Sequence, residues 1–483
     1  MVFFIALFGL LLRLSFINKP EGLWNDEYVS WYIANTSFQD GFWQEVFKQC
    51  HMPLYYFFLK PFANNSDLVL RLTSVLVGVL AIFIMYFVGK EYSKKIGLIS
   101  ALITSNLSFL IYYSQEVRFY SLLFLFSAIG LWATIKLIKN TNRKNIAFYL
   151  VSMLLILFTH VLGVIFVFFN SIYVAYKKKC LSKKNIIIAL ILFLTVLPFG
   201  LNIIKMLPSS QWWGKFSYTN ILFLFTDYFS PILTNNINAP PVFFYNKLKS
   251  IWMLLPCLVI FYPFCLGIKK AKGYFLVAIF TIFILSVLAS LGCIVFITKY
   301  SIEILPILIL ILAIGFNSLN RFGYFLLSLF VLIHLSAFFT PYYVTKLTRD
   351  EGNRIPAEII KARNPQNIVF TYYEPNRFER YVDLNKKNVL YISKINRFEY
   401  NDTPQKIFNN IKSRETVSVV FLDSVSFFDE DYINKHKDNN DLPEMFVTFS
   451  HIKNELIKAL NNDFYDFKVD KIGSWTVISA RKI

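Results

Sequence analysis

Residues 146–176 read IAFYLVSMLLILFTHVLGVIFVFFNSIYVAY, an apolar run of 31 residues with no Asp, Glu, Lys or Arg. A single helix of that length would measure about 46 Å, well beyond the roughly 30 Å hydrocarbon core of a bilayer. Basic clusters flank the run at Lys136 to Lys144 and Lys177 to Lys184, and one crossing would put them on opposite sides. Short loops rich in Lys and Arg are retained on the cytoplasmic side of a membrane. Two short spans turning near His160 meet both constraints. That choice fixes the parity of every segment before and after it.

The same rule places the basic loops Lys90 to Lys95 and Lys269 to Lys272 inside. Spans are then expected at about 1–18, 68–89, 96–113, 119–138, 146–159, 161–176, 186–205, 251–268, 274–297, 301–317 and 322–339. The count is 11, with the N-terminus cytoplasmic and everything from residue 340 outside. The first run contains Arg13 and is followed by no small-residue cleavage site, so it reads as a retained span. A chain of 483 residues that is 56% hydrophobic and 18% aromatic exceeds what a soluble globule needs. The expected class is a polytopic α-helical protein of the inner (plasma) membrane.

Charge placement sharpens this. The net charge is +19, but residues 340–483 hold 22 of the 49 Lys and Arg and 20 of the 30 Asp and Glu. The membrane part therefore keeps 27 bases and only 10 acids. Its bases are split into clusters by hydrophobic spans, which argues against a nucleic-acid partner. Of the ten acids, all but Glu91 fall at or near the outer face, so an outer-face site is expected. The five cysteines form no regular framework; packing, without structural disulfides, is expected of them.

Two domains follow: a transmembrane domain over 1–339, with a first outer loop at 19–67, and a periplasmic α/β domain over 340–483. In the outer loop, Phe42, Val46, Phe47 and Cys50 recur at helical spacing, and Pro53 to Phe62 is too short to span, so both read as interfacial segments. A second outer loop, 206–250, carries Gln211-Trp212-Trp213 and Pro240-Pro241. The tail is expected to have helices at 353–364, 376–384, 402–413 and 450–461. Its strands are expected at Ile368 to Tyr373, Val389 to Ile392, Val417 to Leu422 and, as a hairpin, 464–480. No nucleotide-binding or zinc spacing occurs in it.

Five constellations could carry chemistry. Adjacent Asp26 and Glu27 follow the first span; they read either as the capped start of an interfacial helix, with Asn25 or Asp26 as cap, or as a general base and its assistant. His51 lies in His51-Met52-Pro53-Leu54-Tyr55-Tyr56, either a loop residue or a site residue. Glu116 and Arg118 lie in the polar island Tyr112 to Tyr120, either a solvated turn or a phosphate-facing pair. Lys299 and Tyr300 join two spans, either a snorkelling lysine or a phosphate clamp. Arg71 and His160 are interface anchors or site residues. Together they would suit a phosphorylated lipid whose leaving group needs charge neutralisation.

These stretches, in this order, resemble the GT-C superfamily of polyprenyl-phosphate-sugar glycosyltransferases, in the branch of the protein O-mannosyltransferases and the lipid A aminoarabinose transferases. The matching pieces are Asn25-Asp26-Glu27, His51-Met52-Pro53-Leu54-Tyr55-Tyr56, Arg71-Leu72-Thr73-Ser74 with Gly78, Tyr113 to Tyr120, Thr159-His160, and Lys299-Tyr300 with Pro306. They span roughly residues 1–320. Met52 stands where the family favours Pro, and Lys299 where it favours Arg. The resemblance implies Asp26 as catalytic base with Glu27 assisting. It implies Arg71, Glu116, Arg118, Lys299 and Tyr300 around the donor phosphate, and His51 and His160 as contacts to substrate or metal. The implied reaction inverts the sugar as it leaves a polyprenyl-phosphate carrier for a glycan, lipid or protein acceptor. A divalent cation is left open as cofactor. A transporter or flippase of lipid-linked sugars is the rival. Internal repeats and mid-membrane ionisable residues, which that class favours, are not what the sequence displays.

Overall fold

The computed structural model describes residues 1–18, 22–49, 51–178, 194, 197–201, 219–230, 251–291, 294, 297–338, 354–364, 367–370, 378, 380–383, 388–391, 416–422, 465–472 and 475–481. The chain divides into two compact units, one of Met1–Ile17 with Val29–Leu347 and one of Asn18–Tyr28 with Thr348–Ile483.

The first unit is helical. It contains α1 (Val2–Leu14), most of α2 (Asn25–Asn35), α3 (Phe42–Lys48), α4 (Leu54–Leu59), α5 (Asp67–Lys90), α6 (Lys94–Asn106), α7 (Ser108–Ser114) and α8 (Tyr120–Lys139). It continues with α9 (Arg143–Thr159), α10 (Gly163–Lys178), α11 (Thr219–Phe229), α12 (Ile251–Lys270), α13 (Lys272–Ser290), a 3₁₀ segment (Thr298–Ile304), α14 (Leu305–Ser318) and α15 (Asn320–Phe338). Among the described residues four helical stretches are long and apolar enough to cross a membrane: 67–90, 120–139, 272–290 and 298–318. The pair α6–α7, bent by 60°, makes a fifth. The chain is a multi-pass helical membrane protein. The run 146–176 is indeed broken: α9 ends at Thr159, His160 adopts an extended backbone, and α10 begins at Gly163. The span expected at 186–205 and the outer-loop motifs at 211–213 and 240–241 lie outside the described residues.

The interfacial segments form short helices. Phe42 and Val46 of α3 and Tyr55, Tyr56 and Leu59 of α4 are buried, while Phe38, Trp43 and Phe57 cluster with exposed faces. Lys60 reaches from the end of α4 to the C-terminal end of α2, with Nζ 3.1 Å from Ala34 O in its last turn and 2.5 Å from Thr36 O just past it. A cation there complements the negative end of a helix.

One buried cation organises the core. Arg13 of α1 is 1% exposed. Its guanidinium donates to Gly9 O, Ser105 O, Thr104 O and Ser114 Oγ, each at 3.0–3.1 Å. Thr104 and Ser105 are the last turn of α6, where the bend to α7 leaves carbonyls without intrahelical donors. Gln115 closes the contact from the other side, its Nε2 donating to Arg13 O at 2.9 Å and Ser15 O at 2.6 Å. Space for this comes from Gly78 of α5, where a Cβ would lie 2.4 Å from Ser114 Oγ and 3.0 Å from Arg13 Nε.

In the second unit a five-stranded mixed sheet has the order β2-β1-β3-β5-β4, built from β1 (Asn367–Phe370), β2 (Asn388–Tyr391), β3 (Thr416–Leu422), β4 (Tyr465–Ile472) and β5 (Trp475–Arg481). β1 runs parallel to β2 and β3, and β5 is antiparallel to β3 and β4. Helix α16 (Arg354–Arg363) supplies Ala357 and Ile360 to a core with Ile368, Phe378, Val382 and Val477. The helices expected at 402–413 and 450–461 lie outside the described residues, as do four of the nine residues of 376–384; there Tyr381 N and Val382 N both donate to Phe378 O at 2.9 Å. The segment after α1 is tied into this unit: Leu23 N donates to Tyr381 Oη at 2.8 Å, and Gly22, at φ +82°, has no room for a Cβ against Arg354 and Tyr381.

Gly78→Ala is expected to lower stability by about 1–3 kcal/mol, because the new methyl displaces Ser114 and Arg13 from their shared bond. Thermal unfolding in detergent measures this; an unchanged midpoint would show that the Arg13 contact is slack.

Candidate active site

His51, Arg118, His160, Lys299 and Tyr300 come together in the helical unit by different routes. Phe119 and Tyr120 open α8, His160 ends α9, and Tyr300 lies in the 3₁₀ segment before α14. Their rings form a ladder. His51 meets Phe119 edge-on at 5.8 Å, Phe119 stacks on His160 at 4.8 Å, and His160 stacks on Tyr300 at 5.6 Å. The Tyr56 hydroxyl hydrogen-bonds His51 Nδ1 and fixes that end of the ladder.

Two cations flank these rings. Arg118 is 4% exposed, lies 5.1 Å from the Phe119 centroid and donates from Nη1 to Ser30 Oγ at 3.2 Å. Lys299 is 3% exposed, with Nζ 5.3 Å from the Tyr120 ring and 5.6 Å from the Tyr300 ring. Aromatic faces attract cations through their negative quadrupole. Glu116 is fully buried in the same turn as Arg118. Arg71 is buried in the first turns of α5, which packs on α7 and α8.

Burial controls His160. Desolvation, helped by the Arg118 charge, pushes its imidazole down to about 3. It is therefore neutral at physiological pH, and its Nδ1 has no hydrogen-bond partner among the described residues. Glu303, three residues past Tyr300, is likewise fully buried with neither carboxyl oxygen bonded among the described residues. Buried polar groups are normally satisfied, so such exceptions mark places where a ligand can supply the missing bonds.

Sequence reasoning missed the brace behind Lys299. The Tyr228 hydroxyl of α11 donates to Ser301 O at 2.6 Å and lies 2.8 Å from Ser301 Oγ, and Thr298 Oγ1 donates to Asp227 Oδ2 at 2.8 Å. These bonds fix the 3₁₀ turn, whose backbone kinks at Ser301. The signal was available: Asp227 is one of the few acids in the membrane part, within a stretch read only as a long loop.

Asp26 and Glu27 occupy the first turn of α2, in the segment grouped with the second unit. The expected cap was the side chain of Asn25 or Asp26. Instead Trp24 precedes the helix, its carbonyl accepts from Tyr28 N, and Glu27 Oε2 accepts from Trp24 N at 3.3 Å. Glu27 thus reaches back as the third residue of a capping box does. It is fully buried, whereas Asp26 is partly exposed. His51 and His160 were candidate metal contacts. Among the described residues no three His, Cys, Asp or Glu side chains group as a metal-ligand set. Cys257 and Cys265 are free thiols, and Cys50, Cys180 and Cys293 lie outside the described residues.

The architecture has known counterparts. ArnT from Cupriavidus metallidurans, in a crystal structure bound to undecaprenyl phosphate, superposes at TM-score 0.53 with 10% identity, covering 99% of this chain and 97% of that one. Its apo structure gives 0.55 at the same identity and coverage. The chain shares the fold of these two structures. An oligosaccharyltransferase of Archaeoglobus fulgidus, tethered with an acceptor peptide, gives 0.49 at 11% identity, covering 97% of this chain and 72% of that one. No protein-family model and no curated protein matches the sequence.

The depressed imidazole has a signed consequence. Below the ordinary histidine value the unfolded chain takes up a proton that folded His160 refuses, so its contribution to stability is full above about pH 6.5 and declines as pH falls toward 3. The slope is at most about 1.4 kcal/mol per pH unit. His160→Phe, which keeps the ring stack, should flatten this part of the acid-unfolding profile. An identical profile in that variant would contradict the assignment.

Proposed function

We propose that this protein is an inverting glycosyltransferase that moves a sugar from a polyprenyl-phosphate carrier to an envelope glycan, lipid or protein acceptor at the periplasmic face of the inner membrane. The observation that carries the reading is the convergence of Arg118, Lys299 and neutral His160 around one ladder of rings. Two buried cations beside an unsatisfied polar group suit a phosphate joined to a polyhydroxylated ring. The shared fold with ArnT, and the lipid phosphate in that structure, support the carrier class.

In the proposed step the acceptor hydroxyl or amine attacks the anomeric carbon and passes its proton to Asp26. The anomeric C–O bond breaks with its electron pair going to the phosphate, and configuration inverts. Arg118 and Lys299 stabilise the charge that develops on the leaving phosphate, with Arg71 and Glu116 ordering that end of the site and Tyr300 shaping it. Asp26 is favoured over Glu27 as base because Glu27 is committed to capping α2, while Asp26 is accessible. Glu27 assists by holding the turn that carries Asp26. Lys299 binds as a point charge, so it neutralises phosphate without the two-pronged geometry an arginine would bring. The proposed topology has 11 spans, the N-terminus inside and residue 340 onward in the periplasm, which puts the domain at 340–483 beside the acceptors.

Asp26→Asn should reduce transfer by about 10²–10⁴-fold, the usual worth of a general base, while retention of undecaprenyl phosphate stays near wild type. Lys299→Gln should do the reverse and weaken lipid-phosphate retention. Purified variants incubated with polyprenyl-phosphate sugars and envelope extract, with products identified by mass spectrometry, provide the test. Near-normal turnover by Asp26→Asn would remove it as the base.

A further inference from the structure

The approach to the turn that carries Asp26 is held by a residue far along the chain. Gly22, Leu23 and Trp24, which lead into α2, are buried. Gly22 has φ +82°, a left-handed backbone that glycine adopts without steric cost, and a Cβ there would lie 2.6 Å from Arg354 Cβ and 2.7 Å from Tyr381 Oη. The next amide, Leu23 N, donates to that same Tyr381 Oη at 2.8 Å, across 358 positions of sequence. Tyr381 is itself seated. Its backbone N donates to Phe378 O at 2.9 Å, its ring packs on the core around Ile360, Phe378 and Val477, and the Arg354 guanidinium lies 5.5 Å from the ring centroid. All of these residues belong to the second unit.

Two consecutive amides ahead of α2 are thus fixed by different partners. Trp24 N donates to Glu27 Oε2 at 3.3 Å, and Trp24 O accepts from Tyr28 N at 2.8 Å, so these bonds close the helix start upon itself. They set where α2 begins. They do not set the direction of its first turn, because cap and turn move together. The Leu23 bond supplies that constraint, since it ties the chain just before the cap to a side chain anchored in a folded core. Asp26 stands three residues beyond Leu23, in the first turn of the helix. A general base works only within about 2.6–3.2 Å of the proton it takes, so a small swing of that turn is felt in the chemical step.

We propose that Tyr381 is a positioning residue for sugar transfer: by accepting from Leu23 N, its hydroxyl sets the direction of the first turn of α2 and with it the Asp26 carboxylate. The sheet-bearing domain then contributes to the reaction through Asp26. This rests on Asp26 being the base, as proposed above. A purely structural tether would use the same bond. The two roles differ in what the hydroxyl does to the rate when the Asp26 carboxylate is present and when it is not.

A double-mutant cycle on the full-length protein in detergent separates them, read as initial rates with the polyprenyl-phosphate sugar that wild type consumes fastest in envelope extract. Tyr381→Phe, which keeps the ring and removes the acceptor, should slow transfer by about 10- to 10²-fold, the scale of a misplaced catalytic group. Added to Asp26→Asn, it should slow the residual rate no further, as expected of residues that act as a unit. Retention of undecaprenyl phosphate should stay near wild type in both. Hydrogen exchange in the peptide Gly22–Tyr28 should quicken several-fold in Tyr381→Phe. Gly22→Ala presses on the same contact from the other side and should reproduce both effects, which keeps the test decisive if the phenylalanine variant does not fold. Near-normal transfer by Asp26→Asn would overturn the base assignment, and the role of Tyr381 with it. If Asp26→Asn is impaired, the Tyr381 proposal alone is overturned by any of three results: a wild-type rate in Tyr381→Phe, equal slowing in both backgrounds, or unchanged exchange at Gly22–Tyr28.

Discussion

The guanidinium of Arg13 is the contact on which the helical unit depends. A buried charge is tolerated where its donors find acceptors, and here three carbonyls and one hydroxyl from α1, α6 and α7 take four of its N–H groups. The exchange benefits both sides. The bend between α6 and α7 frees backbone carbonyls that hydrocarbon cannot hydrate, and Arg13 satisfies two of them. Because Ser114 and Gln115 join the same network, the start of the polar island that leads to Arg118 is anchored to the first helix. The geometry of the cations in the candidate site therefore begins with a residue that touches none of the rings.

The same logic explains why the candidate site is stiff. Its ladder alternates imidazole and phenyl or phenol rings drawn from four separate chain segments, so no single loop can move without unstacking a neighbour. Tyr228 and Asp227 hold the Lys299 turn from behind, and Ser30 holds Arg118 from α2. Fixed dipoles and charges of this kind stabilise a developing anion without first having to reorient.

Local patterns were readable from the sequence, and long-range partners were not. The break at His160 followed from the length of an apolar run and the sign of its flanks, and the strands near 368, 389, 417 and 464–480 followed from β-branched runs bounded by polar turns. Arg13 was visible as a charge in a span, but three of its four acceptors lie more than ninety residues away and most are backbone carbonyls, which leave no residue-type signature. Glu27 looked like half of a catalytic pair; that it caps α2 depends on where the helix starts, a boundary that shifts by a residue or two in any pattern reading. Tyr228 was hidden for a different reason: a tyrosine among 28 in the chain announces nothing until its hydroxyl is seen against Ser301.

Helix α2 is sealed at both ends, by Glu27 at its start and by Lys60 at its finish. An eleven-residue helix alone in water would fray from its termini. This one has no loose turn from which unravelling could begin. The carboxylate of Asp26 is thus carried on a formed first turn and not on a fraying end, which fixes the direction in which it leaves the backbone.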